Sequence, residues 1–116
     1  MHNYFLELVT PNLLRFGMYN GSSWPMASAT ISATTNMWHH VVGTYSGGTI
    51  TLYLDGNKFA ENTGAGNPTP GGTCYFSIGA NYSESTKYFN GSLDDIRLYN
   101  KALDPSEVQI LYRQGL

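Results

Sequence analysis

The chain contains little charge and almost no cysteine. Only 12% of its 116 residues are Asp, Glu, Lys or Arg, and the formal net charge is -2. The six lysines and arginines are scattered, so the sequence offers no basic stripe for nucleic acid or for a membrane surface. The single cysteine, Cys74, cannot form an internal disulfide and has no companion at zinc-ligand spacing.

Long apolar runs are also lacking. No stretch approaches the length of a transmembrane span. The N-terminus has neither the basic region nor the long apolar core of an export signal. The sequence therefore predicts neither a nucleic-acid partner nor a membrane partner.

The residues that are abundant indicate a small all-β protein. Thirteen glycines and nine tyrosines, together with many serines and threonines, suit short strands joined by polar turns better than they suit helices. A chain of this length can bury one modest core. Residues 1–116 are therefore expected to form a single domain.

The stretch from Met37 to Asn57 predicts an antiparallel meander, around which the other elements can be arranged. Its β-branched and aromatic runs are separated by Gly47-Gly48 and by Asp55-Gly56, two-residue breaks typical of tight hairpin turns. The predicted strands are Trp38–Ser46, Thr49–Leu54 and about Asn57–Thr63.

Two-residue turns fix the register of this meander and so define its two faces. They place Val41 opposite Leu54, and Gly43 opposite both Leu52 and Phe59, with Phe59 using the space that glycine leaves. These residues form an apolar face that is expected to be core. The other face is too polar for a core and too aromatic for an ordinary solvated surface, so it is the first place to look for function. It carries Trp38, His40, Val42, Thr44, Thr51, Tyr53, Lys58 and Ala60.

Further strands are predicted on both sides of the meander. In the strand from Ser92 to Tyr99 the apolar residues change parity between Leu93 and Ile96, which a β-bulge at Asp94-Asp95 would reconcile. The remaining predicted strands are Tyr4–Val9, Asn12–Tyr19 with Leu14, Phe16 and Met18 on its core face, Ser28–Ala33 and Cys74–Gly79.

One short helix is predicted at the C-terminal end of the sequence. Asp104 is a suitable N-cap, Pro105 suits the first helical position, and Glu107 completes a capping box. The helix is expected to end at about Gln114, before a glycine. Its apolar side chains at helical spacing would pack onto the sandwich; they are Val108, Leu111 and Tyr112.

Several sequence runs, taken in order, carry a family resemblance. They are Trp38-His39-His40-Val41, Thr44-Tyr45, Leu52-Tyr53-Leu54-Asp55-Gly56, Ile78-Gly79, Phe89 to Asn100, Ala102-Leu103 and Glu107. Together they resemble the laminin G-like jelly-roll domain of the concanavalin A-like lectin/glucanase superfamily, over roughly Asn12 to Tyr112. Family domains carry further strands ahead of the position that matches Tyr4. The fold expected from the resemblance is therefore an all-β, antiparallel β-sandwich, N-terminally truncated, with one short C-terminal helix.

The resemblance implies a non-catalytic binding module of secreted or cell-surface proteins. Such modules usually bind glycans or other proteins and often hold a structural Ca²⁺. Carbohydrate recognition is the first expectation, because aromatic rings complement the C–H side of a pyranose. Trp24 is either a lid over the edge of the sandwich or an exposed stacking ring. The other candidate ligand-binding residues are Trp38, His40, Tyr53 and Lys58.

Asp94 and Asp95 are the candidate metal ligands. Ca²⁺ takes six to eight oxygens, so two carboxylates would need backbone carbonyls to complete a site. Alternatively, one carboxylate hydrogen-bonds the bulged backbone and the other faces water. The sequence has no strand with alternate carboxylates that could act as acid and nucleophile on a glycosidic bond, so no enzymatic activity is expected.

Self-assembly is the alternative to glycan binding. The predicted strands on either side of the meander are too few to cover its core face. A second copy of the chain is the nearest source of apolar surface, and a two-fold symmetric homodimer is therefore expected. Exchange of the Tyr4–Val9 strand is one form that such a dimer could take.

Overall fold

The computed structural model describes residues 4–9, 12–32, 36–70, 76–81 and 87–115. These residues form two three-stranded antiparallel sheets and one helix, which confirms the predicted β-sandwich with a C-terminal helix. No helix in these ranges is both long enough and apolar enough to cross a membrane. The first sheet contains β1 (Tyr4–Val9), β2 (Leu13–Met18) and β3 (Met26–Thr30); the second contains β4 (Val41–Ser46), β5 (Thr49–Leu54) and β6 (Asn57–Asn62); the helix α1 is Pro105–Gln114.

The first sheet is organised by the alternating pattern of β2. Its even-numbered side chains are buried against the second sheet, as predicted, because alternate residues of a strand share a face. β3 begins at Met26, earlier than the predicted Ser28. The Met18 N–H donates to the Pro25 carbonyl at 3.2 Å, so the chain is already back beside β2 at that point.

The register of the hairpin between β4 and β5 is the one that the two-residue turn predicts. Val41 lies opposite Leu54, and Gly43 lies opposite Leu52. Both turn glycines have positive φ, which explains why this turn needs residues without a side chain. The strand begins at Val41 rather than at Trp38.

The predicted position of Phe59 is wrong. The register shifts between Leu52 and Tyr53, so that Ala60 lies opposite Leu52 and packs against the core, while Phe59 is exposed. The space at Gly43 is taken by Phe16 from the other sheet instead. A Cβ atom at Gly43 would lie 2.3 Å from that ring, so only glycine fits there.

The main core lies between the two sheets. β2 and β3 pack over β5, and β3 also packs over β6. Val41, Tyr45 and Leu54 of the meander pack at the margin of this core, on the face where they were predicted. Its buried members are Leu14, Phe16, Met18, Ala27, Ile50, Leu52 and Ala65.

Neither the predicted strand from Ser92 to Tyr99 nor the expected bulge at Asp94-Asp95 is formed. These eight residues are exposed and carry no ladder hydrogen bonds with the described strands. A strand requires a neighbour to satisfy its backbone groups, and the described part of the chain supplies none to this segment. The predicted strand Cys74–Gly79 falls partly outside the described residues, and its described part, 76–79, is not a strand.

Candidate functional site

The outer face of the second sheet is covered by α1. Asp104 caps the helix by accepting the Glu107 N–H at 2.8 Å, and Pro105 occupies the first turn, as predicted. The helix buries Val108 fully, and Val108 forms a small second core with Leu103 and Tyr53. The amphipathic pattern therefore places the helix directly on Tyr53, one of the predicted binding residues.

Asp55, in the turn between β5 and β6, is hydrogen-bonded to the residues just before β4. Its carboxylate accepts the His40 N–H at 2.9 Å, and His39 donates to it through Nδ1 at 2.8 Å. The Tyr112 ring lies over Gly56, where a Cβ atom would be only 2.8 Å away. These contacts fix the position of the two histidines and the turn relative to the helix.

His40 lies between this turn and the helix. Its ring centroid is 6.0 Å from that of Tyr112. Its Nδ1 atom is buried and lacks a hydrogen-bond partner among the described residues. The half-buried position of the ring suits a packing role better than direct contact with a ligand.

Tyr53 and Lys58 meet at a shallow depression between the sheet and the start of the helix, with a volume of about 330 Å³. Tyr53 is only 5% exposed, and burial raises the pKa of its phenol. Lys58 is exposed and pairs with Glu61 at 2.7 Å; the hydrogen bond that the lysine donates to that carboxylate raises the pKa of Lys58. The depression thus has polar lining residues but exposes very little of the Tyr53 ring.

Trp38 and Trp24 are the two predicted site residues whose rings reach solvent. Trp38 is 68% exposed and precedes β4, outside the described strands. Trp24 is 47% exposed and follows the turn after β2. The structure therefore divides the predicted residues among different places instead of gathering them on one face.

Trp24 belongs to an aromatic patch formed with Tyr19 and Phe5. Its ring centroid lies 4.9 Å from that of Tyr19 and 6.1 Å from that of Phe5. Phe5 in turn lies over Gly17, where a Cβ atom would be 2.6 Å from the phenyl ring. The half-exposed indole is thus held by two other rings on the outer side of the first sheet.

A polar turn adjoins the aromatic patch. The Asn20 side chain accepts the N–H groups of Ser22 and Ser23 at 3.0 and 2.8 Å, and donates to the Ala65 carbonyl at 3.2 Å. The Tyr19 hydroxyl donates to the Gly21 carbonyl at 2.9 Å. The exposed serine hydroxyls are therefore carried on a turn that is anchored to the core.

Asp94 and Asp95 do not converge on a common point. Asp94 accepts the Asp95 N–H at 2.8 Å, whereas the Asp95 carboxylate accepts two bonds from Arg97 at 3.0 and 3.2 Å. The hydrogen bond with Tyr99, followed by that with Asp95, raises the pKa of Arg97. No group of three potential metal ligands occurs within the ranges that the structure describes. These residues alone do not fit Ca²⁺, so a contribution from Asp94 stays a prediction.

Sequence reasoning selected Trp24 as a candidate but did not predict the two rings that pack against it. The available signal was Gly17, which leaves a gap on the outer face of β2 directly opposite Phe5 in the β1–β2 register. An aromatic residue paired with a glycine across two strands covers the glycine and extends toward its neighbours. Tyr19 stands at the end of the same strand.

Two small antiparallel sheets that pack face to face define a β-sandwich. Residues 2–109 match the laminin G-like family of the concanavalin A-like lectin/glucanases superfamily, and the chain belongs to that family. Laminin G-like domains are in general non-catalytic modules that often bind sugars or proteins.

A solved structure supports the fold independently. The crystal structure of an S-layer domain-containing protein (residues 221-444) from Clostridium thermocellum ATCC 27405 is similar, with a TM-score of 0.54 and 24% sequence identity. The similarity covers 96% of this chain and 63% of that chain, so the present chain spans less than two thirds of its neighbour. No curated protein matches the sequence.

Proposed function

We propose that the protein is a carbohydrate-binding module in which a sugar ring stacks on Trp24. The observation that carries this proposal is the half-exposed indole held by Tyr19 and Phe5. An aromatic ring fixed before binding loses little conformational entropy when the ligand arrives. Its apolar face complements the C–H face of a pyranose.

The groups beside Trp24 suit the other needs of a sugar. Ser22 and Ser23 carry exposed hydroxyls that donate to the Asn20 side chain at 3.2 and 3.3 Å, which leaves their oxygen lone pairs to accept from sugar hydroxyls. An open surface with one stacking ring predicts weak binding, with a Kd near 1 mM, or about -4 kcal/mol.

The alternative location is the outer face of the meander, which the sequence favoured. There Tyr53 lies beneath α1, and the exposed Lys58 is paired with Glu61. A ring that is 5% exposed offers less stacking surface than Trp24, which is 47% exposed. The meander residues therefore serve as the comparison set in the test.

Calorimetric titration of the protein with soluble polysaccharides tests the proposal. Trp24→Ala should weaken binding at least about tenfold, or about 1.4 kcal/mol, whereas Trp24→Phe should retain most of it. Trp38→Ala removes an equally large exposed ring elsewhere and should leave the affinity unchanged within about twofold. Far-UV circular dichroism and melting of each variant establish that the sandwich is intact.

Two results would contradict the proposal. A parent protein that binds no polysaccharide at millimolar concentration would exclude a glycan role of this kind. If Trp38→Ala or Tyr53→Ala abolished binding while Trp24→Ala did not, the meander face would be the site.

A protein-binding role is the second candidate. It is favoured by the many large apolar side chains that are exposed between residues 76 and 99. Exposed apolar side chains in such number often mark an interaction site. They are Phe76, Ile78, Tyr88, Phe89, Leu93, Ile96, Leu98 and Tyr99.

A further inference from the structure

The two sheets leave room for one more strand at one side of the sandwich. In the second sheet β4 pairs with β5, and the described residues provide no strand on its other side. In the first sheet β2 already reaches over β4, because Phe16 packs on Gly43. β1, the next strand outward, therefore extends beyond the free edge of β4. We call the space below β1 and beside β4 the slot.

The free edge of β4 offers ordered backbone groups. The Asp55 N–H donates to the His40 carbonyl at 2.8 Å, so the even-numbered residues of this strand exchange hydrogen bonds with β5. Backbone groups alternate in direction along an antiparallel strand. The N–H and C=O groups of Val41, Gly43 and Tyr45 therefore point into the slot, where an added strand would satisfy them.

The inner face of β1 forms the apolar wall of the slot. Leu6 and Leu8 lie opposite Phe16 and Leu14 in the β1–β2 register and so point to the same side as these core residues. Phe16 and Leu14 are buried, but Leu6 is 48% exposed and Leu8 is 40% exposed. The difference arises because β2 packs over the second sheet, whereas β1 approaches β4 through Tyr4, which lies near Tyr45, and Leu6 and Leu8 have no described strand beneath them.

The segment Ser92–Tyr99, which we call the arm, has the chemistry that the slot requires. Ile96 and Leu98 would share one face if the arm were extended, and their neighbours Arg97 and Tyr99 would face outward. In the structure Leu98 is 84% exposed, and the arm makes no strand pairing within the described residues. Among the residues that the structure describes, the slot is thus unfilled and the arm has no strand partner.

We propose that two copies of the chain exchange arms, so that Ser92–Tyr99 of each copy adds a strand to β4 of the other. The structure places the arm outside the slot of its own chain, and Leu103 fixes the residues that follow it against Tyr53 on the outer face of the second sheet. A second copy supplies an identical arm, and a two-fold axis fills both slots at once.

The size of such an interface is adequate for a stable dimer. The arm, β1 and β4 contribute about 20 residues from each copy, which is the number found in an interface of standard size. Main-chain pairing at an exposed sheet edge is also an established mode of association. This proposal is independent of carbohydrate binding, because the aromatic patch lies on the outer side of the first sheet.

Complementation between two defective variants tests the exchange. Leu98→Lys places a charge on the arm, and Leu6→Lys places one in the slot. Light scattering coupled to size exclusion at tens of micromolar should show a dimeric parent and a monomer for each variant alone. A 1:1 mixture should recover dimer, because the intact arm of Leu6→Lys fits the intact slot of Leu98→Lys. The dissociation constant of the mixed dimer should be at least about tenfold higher than that of the parent, since only one of its two slots is intact and receives an intact arm.

Ile110→Lys is the matched variant, since Ile110 is an exposed apolar residue on α1 outside the proposed interface, and it should remain dimeric. Leu98→Gln adds no charge to the arm and should also be monomeric. A monomeric parent would overturn the proposal, as would a mixture that stays monomeric, because either result means that each chain closes its own slot or leaves it open. Dimers that persist in both lysine variants, or that dissociate in Ile110→Lys, would place the interface elsewhere and would also overturn it.

Discussion

Gly43→Ala provides a direct test of how the two sheets pack. A Cβ atom at this position would lie 2.3 Å from the Phe16 ring, whereas non-bonded carbon atoms prefer about 3.5–4.0 Å. The ring would have to retreat by about 1.2 Å in the main core, where it is only 9% exposed. Overpacking of this kind costs about 1–3 kcal/mol, which corresponds to a fall in Tm of roughly 4–12 °C for a domain of this size.

A double-mutant cycle identifies the ring that is responsible. Phe16→Leu should relieve the clash, so the double variant with Gly43→Ala should be more stable than the sum of the single effects by about 1 kcal/mol or more. Phe59→Leu, the ring that the sequence had placed at this position, should give no such relief. Gly64→Ala is the matched glycine variant, because its nearest neighbour would be 3.9 Å away, and it should change stability by less than about 1 kcal/mol.

Urea unfolding followed by circular dichroism measures all of these values. The packing described here would be refuted if Gly43→Ala were as mild as Gly64→Ala. It would equally be refuted if the effects of Gly43→Ala and Phe16→Leu added within about 0.5 kcal/mol.

Two further predictions concern charged groups. The pKa of Asp104 is lowered, chiefly by the hydrogen bond from the Ser106 hydroxyl; the stabilising cap is therefore complete above the unfolded pKa of about 3.9 and is lost as the pH falls through the lower folded pKa. Tm measured from pH 6 to pH 2 should consequently fall more steeply for the parent than for Asp104→Asn, which keeps the acceptor oxygen, and parallel curves would contradict this role. Calcium at 5 mM should raise the Tm by no more than about 1 °C relative to EDTA, because Asp94 accepts from its neighbour and Asp95 binds Arg97. A rise of several degrees that disappears in Asp94→Ala would show that Asp94 is a calcium ligand.

The parts of the fold that local chemistry determines could be predicted from the sequence. The register of β4 and β5 follows from Gly47-Gly48, whose positive φ values suit a two-residue turn. The helix follows from its cap and its apolar spacing, and β2 from strict alternation. In each case the residues that decide the structure are close together in the chain.

The position of Phe59 could not be predicted in the same way. The two registers of β6 against β5 differ by one residue, and both place an apolar side chain opposite Leu52. The choice between them depends on Phe16, which comes from the other sheet and takes the space at Gly43. Local patterns contain no information about a side chain that arrives from so far away in the sequence.

The candidate site also has features that local sequence predicts and features that depend on distant parts of the chain. Trp24 could be selected as a possible stacking ring because it follows a turn, but its support by Phe5 depends on strand pairing. The shared face predicted for Tyr53 and Lys58 is geometrically correct, since they are register partners. Whether this face is open to a ligand could not be judged from one sheet alone, because that depends on where the helix packs.

The order of the strands has a consequence for how the chain folds. Each sheet is made of strands that follow one another in the sequence, so all ladder hydrogen bonds close short loops. Hairpins of this kind form in about 1–10 μs. Docking of the sheets instead joins distant positions, such as the Asn62 side chain, which donates to the Met26 carbonyl at 3.1 Å. We therefore expect the docking of the two sheets, which is the step of high contact order, to limit the overall folding rate.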